Sequence, residues 1–253
     1  MVAAYNNMRY FKPFFFSIIL LFWFSHGYAQ WQTISPGIEF QDLGGKITTP
    51  WSHIYVFRID LTENDFSLKL ASELDAEHAS VPRLGQDPDV ILAINGGFFD
   101  KQFHPLGLRI SDGQKKNHLK RISWWGVFYI DHDKPYIASP FQYIPKHTTF
   151  AVQSGPRLVV NRRIPSLKMG VAERSAIGIT EDKHVILLVT DNNRLTTEQL
   201  AEIMASPPLD CRDALNLDGG SSSQLIAKTH DFNLTVHGFS NVSDAIIVKR
   251  KKN

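Results

Sequence analysis

The pattern of apolar and polar positions predicts a protein built mainly from β-strands. In residues 53–61, apolar side chains at 55, 57, 59 and 61 share one face, while charged side chains occupy 58 and 60. This period of two is typical of a half-buried strand. Apolar residues at 66, 68 and 70 repeat the pattern after a polar turn, which favours an antiparallel hairpin. The run 89–94 is apolar without alternation and indicates a strand buried on both faces.

One segment carries a clear helical signature. Thr196 can cap a helix over residues 196–205, since Gln199 follows three positions later and completes a capping box. Leu200, Ile203 and Met204 form the apolar stripe of this helix, and two prolines end it. With about ten strands and two or three helices, the pattern predicts the α+β class. We expect a single domain with a mixed, largely antiparallel β-sheet and a few flanking helices.

The N-terminus has the composition of a secretory signal peptide. Arg9 and Lys12 precede an apolar run of eleven residues, and Gly27-Tyr28-Ala29 offers a small-x-small cleavage site. An uncleaved anchor is the alternative, but a bilayer span needs ~20 apolar residues. We therefore predict a signal peptide over residues 1–29 and a domain over residues 30–253. The mature protein should be secreted or periplasmic, with no stable membrane span.

Charge and cysteine content narrow the expected partners. Cleavage removes two basic and no acidic residues, which leaves 25 of each and a neutral chain. A neutral chain does not favour binding to nucleic acid. The single cysteine, Cys211, excludes an intrachain disulfide. No neighbouring motif would activate its thiol, so we expect a buried core residue.

The focal segment for function is Ala214 to Leu225, where a short strand leads into Asp218-Gly219-Gly220-Ser221-Ser222. Paired glycines leave backbone N–H groups uncovered, and hydroxyls beside them make an anion-binding surface. A plain hairpin turn is the alternative, because Asp-Gly is a common hairpin signal. A second apolar strand ends in a similar way, at Asn95-Gly96-Gly97-Phe98-Phe99.

Several familiar site motifs are absent from the sequence. No two of the ten histidines are spaced by two or four residues, so a zinc site of standard spacing is not encoded. The focal segment lacks the second glycine of a Gly-x-Ser-x-Gly nucleophile elbow. We predict no cofactor and no metal ligands, and a carboxylate-held divalent cation stays open.

Two further segments also place polar groups at strand ends: Ser154-Gly155-Pro156-Arg157-Leu158 and Arg174-Ser175-Ala176-Ile177-Gly178. Together with Asn-Gly-Gly-Phe-Phe and Leu-Asp-Gly-Gly-Ser-Ser, they resemble the motifs of the phosphodiester glycosidase family, in the family's order. The resemblance runs from about residue 37 to residue 248. One departure is Ser221, where the family often has a third glycine.

The resemblance implies hydrolysis of a sugar-1-phosphodiester. A phosphate monoester, with its second pKa at about 6, leaves more easily than an alcohol, so one carboxylate and a phosphate-binding cation could suffice. We predict Asp218 as the carboxylate and Arg174 as the phosphate-binding cation. Asn95 is expected to orient the substrate or hydrogen-bond to Asp218. The predicted hydrogen-bond donors to the substrate are Gly219, Gly220, Ser221 and Ser222.

Other positions have two interpretations each. Asp191 is either a second carboxylate or a turn cap, and Arg157 either a second phosphate contact or a solvated side chain. His118 is a general base or an exposed loop residue. Gly96, Gly97 and Phe98 are expected to contact substrate, although Phe98 and Phe99 also suit core packing.

The predicted partner is a carbohydrate phosphodiester. Two other functions compete with the exported hydrolase. One is a non-catalytic carbohydrate- or phosphate-binding protein of the cell envelope. The other is a serine hydrolase that uses Ser222.

Overall fold

A computed structural model describes Met1, residues 30–44 and residues 50–252. Apart from Met1, the predicted signal peptide lies outside the described residues. The described strands, in chain order, are β1 (Gln32–Ser35), β2 (Ile38–Asp42), β3 (His53–Ile59), β4 (Asn64–Leu70), β5 (Val90–Asn95), β6 (Arg109–Ser111), β7 (Gln114–Asn117), β8 (Gly126–Asp131), β9 (Lys134–Ala138), β10 (Thr148–Ser154), β11 (Arg157–Val159), β12 (Val171–Ala172), β13 (Ser175–Thr180), β14 (Val185–Asp191), β15 (Leu195–Thr196), β16 (Cys211–Asn216), β17 (Leu225–Lys228), β18 (Asn233–Val236) and β19 (Asp244–Arg250).

Three large sheets organise these strands. The first sheet has the order β1-β2-β3-β14-β13-β16-β11, the second β7-β6-β10-β8-β9 and the third β18-β17-β5-β19-β4. The short strands β12 and β15 pair with each other in a separate two-stranded ribbon. Every pairing between these strands is antiparallel.

One hydrophobic core joins all three sheets. Its buried members include Phe57 and Leu187 of the first sheet, Phe128 of the second, and Leu92 and Ile246 of the third. The outer faces of the first and third sheets are buried in cores of their own. A strand covered on both faces needs no alternation, which explains the continuous apolar runs of β5 and β14.

Two short helices cover the outer faces of the sheets. Helix α1 (Val81–Leu84) packs on the third sheet, and α2 (Thr197–Ala205) packs on the first through Leu200, Ala201 and Met204. The predicted capping box of α2 is present, since the Thr196 side chain accepts from the Gln199 N–H and the Gln199 side chain bonds back. No helix in the part of the chain that the structure describes is long and apolar enough to span a bilayer.

The antiparallel arrangement agrees with the sequence prediction, but the α+β class is wrong in emphasis. Strands make up most of the regular structure, and α1 and α2 are only four and nine residues long. A run of basic residues such as 249–252 is typical of a solvated tail. Instead, β19 continues to Arg250, because Lys249 pairs with Asp89 at 2.9 Å and Arg250 pairs across the sheet with Asn64.

A buried ion pair ties the second sheet to the third. The Arg109 guanidinium Nε lies 3.1 Å from Asp244 Oδ2, and both side chains are fully buried. Arg109 also donates to the backbone carbonyls of Gln153 at 3.0 Å and Phe98 at 3.2 Å. Asp244 accepts a further bond from Ser243 Oγ at 2.7 Å. Two buried charges with their hydrogen bonds satisfied fix the relative position of the two sheets.

Removing the charge of Asp244 should therefore destabilise the fold. Asp244→Asn leaves the Arg109 charge buried without its partner, and we expect the free energy of unfolding to fall by about 3–5 kcal/mol. Urea unfolding followed by circular dichroism measures this loss. Asp89→Asn is the control, since it breaks an exposed pair with Lys249 and should cost at most ~1 kcal/mol. Equal losses in the two variants would contradict the role of the buried pair.

Candidate active site

Strand ends from all three large sheets meet at one edge of the molecule. On the first sheet these are the end of β16 and the beginnings of β11 and β13, whose registers place Asn216 opposite Ala176 and Leu215 opposite Arg157. The third sheet contributes the end of β5, and the second contributes the end of β10. The Asp218 N–H donates to the Gly96 carbonyl at 3.1 Å, which joins the first sheet to the third. All four sequence motifs are thus brought together.

The amide of Asn95 is the centre of this junction. Its side chain is fully buried, and Nδ2 donates to the Asp218 carbonyl at 2.8 Å. Oδ1 accepts from Ser175 Oγ at 2.7 Å and from the Gln224 N–H at 3.1 Å. The predicted contact with Asp218 therefore goes to the backbone, not to the carboxylate. Asn95 positions the segments around Asp218.

Asp218 lies half-buried at the end of β16, and its Oδ1 accepts the Gly219 N–H at 3.1 Å. Burial raises the pKa of its carboxyl above the ordinary value, because the charged form is less well solvated. The Ser222 hydroxyl and the Gly219 N–H act in the opposite direction, and the charge of Asp244 adds to the increase. A carboxyl with a raised pKa at a sheet edge is typical of groups that transfer protons.

The first glycine pair has a packing role. A Cβ on Gly96 would lie 1.8 Å from Asp244 Oδ1, and a Cβ on Gly97 would lie 2.5 Å from the Gln153 carbonyl oxygen. Both glycines are buried. They let the loop pass directly over the Arg109–Asp244 ion pair, so these positions support the site from beneath rather than offering N–H groups to solvent.

The focal loop uses most of its own N–H groups internally. The Gly220 N–H donates to the Glu173 carbonyl at 2.8 Å, and the Gly219 N–H is taken by Asp218. Gly220 has φ of 63°, a conformation that favours glycine. Ser222 is buried within a turn of 3₁₀ helix, Gly220–Ser222, and its Oγ lies 3.4 Å from Ser240 Oγ. The exposed hydroxyl of Ser221 is the most accessible donor of the loop.

Arg174 is placed in the motif, but its guanidinium is turned into the protein. Nε donates to the Leu195 carbonyl at 3.0 Å, and Nη2 donates to Thr197 Oγ1 at 3.0 Å and to the Gly170 carbonyl. The side chain is 8% exposed, and burial lowers its pKa. These contacts make Arg174 a link between the motif and the start of α2, which leaves little of its fork for a phosphate.

Arg157 has the opposite character. Its side chain makes no hydrogen bond or ion pair with any other described residue, and its buried Nε has no partner. Three more unpaired buried atoms surround the same Gly155 bend: Trp125 Nε1, Ser154 Oγ and Asn216 Oδ1. Asn216 Nδ2 donates to the Gly155 carbonyl at 2.9 Å, and a Cβ on Gly155 would meet Trp125 Cδ1 at 2.8 Å. Unpaired buried polar groups are rare, and a cluster of them is a candidate ligand site.

Glu173 was missed in the sequence, where it looked like the end of a polar loop. Its carbonyl holds Gly220, and burial raises the pKa of its carboxyl, with a further increase from the nearby Asp191 charge. Asp191 ends β14 opposite His53 and accepts from Asn192 Nδ2 at 3.1 Å. Burial, Asp42 and Asp191 together raise the pKa of Tyr55 to about 12. The feature of the sequence that could have identified Glu173 is its position directly before Arg174 in the motif.

The remaining predicted residues either pack against other side chains or lie at the surface. Phe98 packs against Trp125 with ring centroids 5.3 Å apart, whereas Phe99 stacks on Phe103 at 5.1 Å. His118 is exposed. Cys211 is buried, and burial raises the pKa of its thiol, which agrees with a core role.

The described part of the chain also bears on two other kinds of site, a serine nucleophile and a metal centre. No histidine there hydrogen-bonds to Ser222, so the partner that a serine nucleophile needs is not in place. Across the same residues, no group of three or more His, Cys, Asp or Glu side chains could hold a metal ion.

A large cleft lies at the opposite edge of the sheets. Its volume is about 770 Å³, and it is lined by Asn64, Asp65, Asp133 and Lys251 among others. The Lys251 ammonium pairs with Asp133 at 3.3 Å and with Asp65 at 3.9 Å. None of the four motifs reaches this cleft, so the edge around Asp218 is the better candidate.

The model of the phosphodiester glycosidase family matches residues 88–249. The Escherichia coli (strain K12) protein YigE, described as uncharacterized, is 32% identical over 155 residues. That alignment covers 56% of this chain and 60% of YigE, so the match spans less than two thirds of the relative's length.

Three solved structures share the fold. The zebrafish N-acetylglucosamine-1-phosphodiester α-N-acetylglucosaminidase catalytic domain, auto-inhibited by its pro-peptide, aligns with TM-score 0.64 and 16% identity over 87% of this chain and 86% of its own. A hypothetical protein from Synechocystis aligns with TM-score 0.59 and 17% identity, over 86% of this chain and 63% of its own. A putative exported protein from Burkholderia pseudomallei K96243 aligns with TM-score 0.54 and 13% identity, over 82% of this chain and 76% of its own. By the family match over most of its length, the chain belongs to the phosphodiester glycosidase family.

Proposed function

We propose that this chain is an exported hydrolase that cleaves the glycosidic bond of a sugar-1-phosphodiester. Family membership and the meeting of all four motifs around a half-buried carboxyl, Asp218, support this function. The N-terminal apolar run with its cleavage site supports export. The observation that carries the proposal is a half-buried carboxyl, Asp218, two residues beyond Asn216, which belongs to the cluster of unpaired buried polar atoms at the Gly155 bend.

The phosphate of the substrate binds at the Gly155 bend. Arg157 supplies the positive charge, and its unpaired Nε together with Trp125 Nε1 supplies donors in a partly buried setting. A charge-assisted bond from a guanidinium to a phosphate is stronger than a neutral one. Arg157 therefore takes the role that the sequence assigned first to Arg174, whose guanidinium already bonds to protein carbonyls.

The sugar lies toward Asp218, and the bond between its anomeric carbon and the phosphate oxygen breaks. The electron pair of that bond leaves with the phosphate, so a phosphate monoester forms. Water adds its oxygen to the anomeric carbon and loses one proton, which the ionised Asp218 accepts. The same negative charge stabilises the positive charge that develops on the sugar ring. The proton on Asp218 then passes to bulk water, which regenerates the carboxylate for the next turnover.

Replacing Asp218 separates catalysis from stability. Asp218→Asn should reduce kcat by about 10³-fold, because the amide cannot accept a proton from water. The variant should be as stable as the wild type at pH 7 or more stable. A native carboxyl with a raised pKa costs stability as the pH rises above the ordinary aspartate pKa, the cost is complete above the native pKa, and the amide removes it.

The measurement is hydrolysis of methyl sugar-1-phosphodiesters by both proteins, with a thermal melt of each. Asp213→Asn is a matched control in β16, because its carboxylate bonds to the Asn161 N–H at the far end of the strand. Full activity in Asp218→Asn would refute its catalytic role. Loss of hydrolysis with retained binding fits the proposal, whereas binding by a wild type that never hydrolyses favours the binding-protein function.

The pH profile should reflect the environment of Asp218. Activity requires its ionised form, so kcat/KM should rise with pH through a pKa above the ordinary aspartate value. Ser222→Ala removes a hydroxyl that favours the ionised form, so the acidic limb should move to higher pH. Initial rates from pH 3 to 8, fitted for both proteins, provide the test. An acidic limb that stays in place or moves to lower pH would count against Asp218 as the base.

The two arginines should respond differently to substitution. Arg157→Gln should lower kcat/KM for a phosphodiester by about 30- to 100-fold, which corresponds to one charge-assisted bond of ~2–3 kcal/mol, with little change in melting temperature. Arg174→Gln should instead lower the free energy of unfolding by about 2–4 kcal/mol, since it leaves buried carbonyls unpaired. Kinetics and urea unfolding of both variants decide the matter. If Arg174 alone proves kinetically important in a stable protein, the phosphate site is misplaced.

A further inference from the structure

A basic and aromatic segment leads up to the phosphate site. Between Asp112 and Asp131 the chain has no acidic residue, whereas it carries four lysines and arginines from 115 to 121. Lys120 and Arg121 are exposed, and neither forms an ion pair with any residue that the structure describes. These two side chains therefore present uncompensated positive charge in a protein whose predicted mature form is neutral, whereas Lys116 pairs with Glu73 at 3.4 Å.

Two exposed aromatic rings accompany these charges. Trp124 is 54% exposed and Phe141 is 58% exposed. The Arg121 guanidinium lies over the Phe141 ring, 5.8 Å from its centroid. Large rings left in water cost free energy unless a ligand covers them, so exposed rings beside a site indicate a binding surface. We call Lys120, Arg121, Trp124 and Phe141 the basic aromatic rim.

The backbone beneath the rim is held firmly. The fully buried Gln153 side chain accepts from the Lys120 N–H at 2.9 Å and donates to the Lys120 carbonyl at 2.5 Å. The Trp125 N–H donates to the Ile122 carbonyl at 3.1 Å. A rigid backbone that displays exposed cations and rings is arranged for binding, because little conformational entropy is lost when a ligand is bound.

The rim adjoins the phosphate site directly. The Arg157 N–H donates to the Trp124 carbonyl at 3.4 Å, and the Trp124 ring meets the Trp125 ring edge-on at 5.8 Å. From Lys120 to Trp124 the chain spans at most ~14 Å. A substrate whose first phosphate sits at Arg157 would extend its aglycone over this surface.

We propose that the basic aromatic rim is a subsite for the aglycone, and that the substrate is a polymer of sugars joined by phosphodiesters. The inference rests on the proposed function. Each repeat of such a polymer brings one negative charge and one sugar face. Lys120 and Arg121 match the charges, and Trp124 and Phe141 offer flat apolar surfaces to the sugar C–H groups. A neutral glycan would leave the two cations without a role.

The test compares two substrates in one triple variant, Lys120→Gln/Arg121→Gln/Trp124→Ala. We expect kcat/KM for a synthetic hexamer of hexose-1-phosphate units to fall by about tenfold or more, mainly through KM, which corresponds to ~1.4 kcal/mol. The rate with a methyl sugar-1-phosphodiester should stay within about twofold, since that substrate does not reach the rim. Equal losses on both substrates, or no loss on either, would overturn the subsite.

A matched control variant shows whether a loss comes from the rim itself or from removing positive charge and an exposed tryptophan anywhere on the protein. Lys134→Gln/Lys228→Gln/Trp51→Ala removes the same charge and an exposed tryptophan elsewhere, and should leave hexamer hydrolysis unchanged.

If the wild type hydrolyses neither substrate, the proposed function fails, and hexamer binding still tests the rim by calorimetry. The dissociation constant should then rise about tenfold in the triple variant and increase with salt. Loss of binding to anionic lipid vesicles, with hexamer binding intact, would assign the rim to a membrane instead.

Discussion

The hydrogen bonds of one buried amide, Asn95, hold the candidate active site together. Its two polar atoms reach the Asp218 carbonyl, the Ser175 hydroxyl and the Gln224 N–H, which belong to three separate strand ends. Each bond satisfies a group that would otherwise be buried without a partner, so the arrangement has few alternatives. Asn95 thereby fixes the backbone from which the Asp218 carboxylate projects, and that carboxylate accepts the Gly219 N–H and is favoured in its ionised form by the Ser222 hydroxyl.

Around this junction, some charged side chains are bonded within the protein and stabilise the fold, whereas others are available to a substrate. The Arg109–Asp244 pair lies wholly inside and joins two sheets, and Arg174 bonds to carbonyls next to α2. Both arginines are therefore structural. Arg157, a cation whose side chain has no hydrogen-bond or ion-pair partner among the described residues, stands beside unpaired donors on the strand next to β16, which leads into Asp218. A free cation and a carboxyl of raised pKa on adjacent strands suit a substrate that carries a phosphate next to the bond to be broken.

The sequence predicted local features well and long-range partners poorly. The capping box of α2, the doubly buried β5 and the four motif strands follow from spacing and apolar pattern alone. The Arg109–Asp244 pair could not be predicted, because 135 residues separate its members and neither has a local signal. The contacts of Arg174 could not be predicted for the same reason, because a side chain's partners depend on what packs against it. The glycines at 96 and 97 looked like N–H donors until their closeness to Asp244 and Gln153 was known.

The central claim is that the bond between the anomeric carbon and the phosphate oxygen breaks. Hydrolysis of a sugar-1-phosphodiester in ¹⁸O-labelled water, followed by mass spectrometry of both products, tests it most directly. Attack at the sugar predicts the label in the free sugar and none in the phosphate monoester. Label in the phosphate would mean attack at phosphorus. It would contradict the glycosidase chemistry assigned to Asp218, even if every other feature of the site were correct.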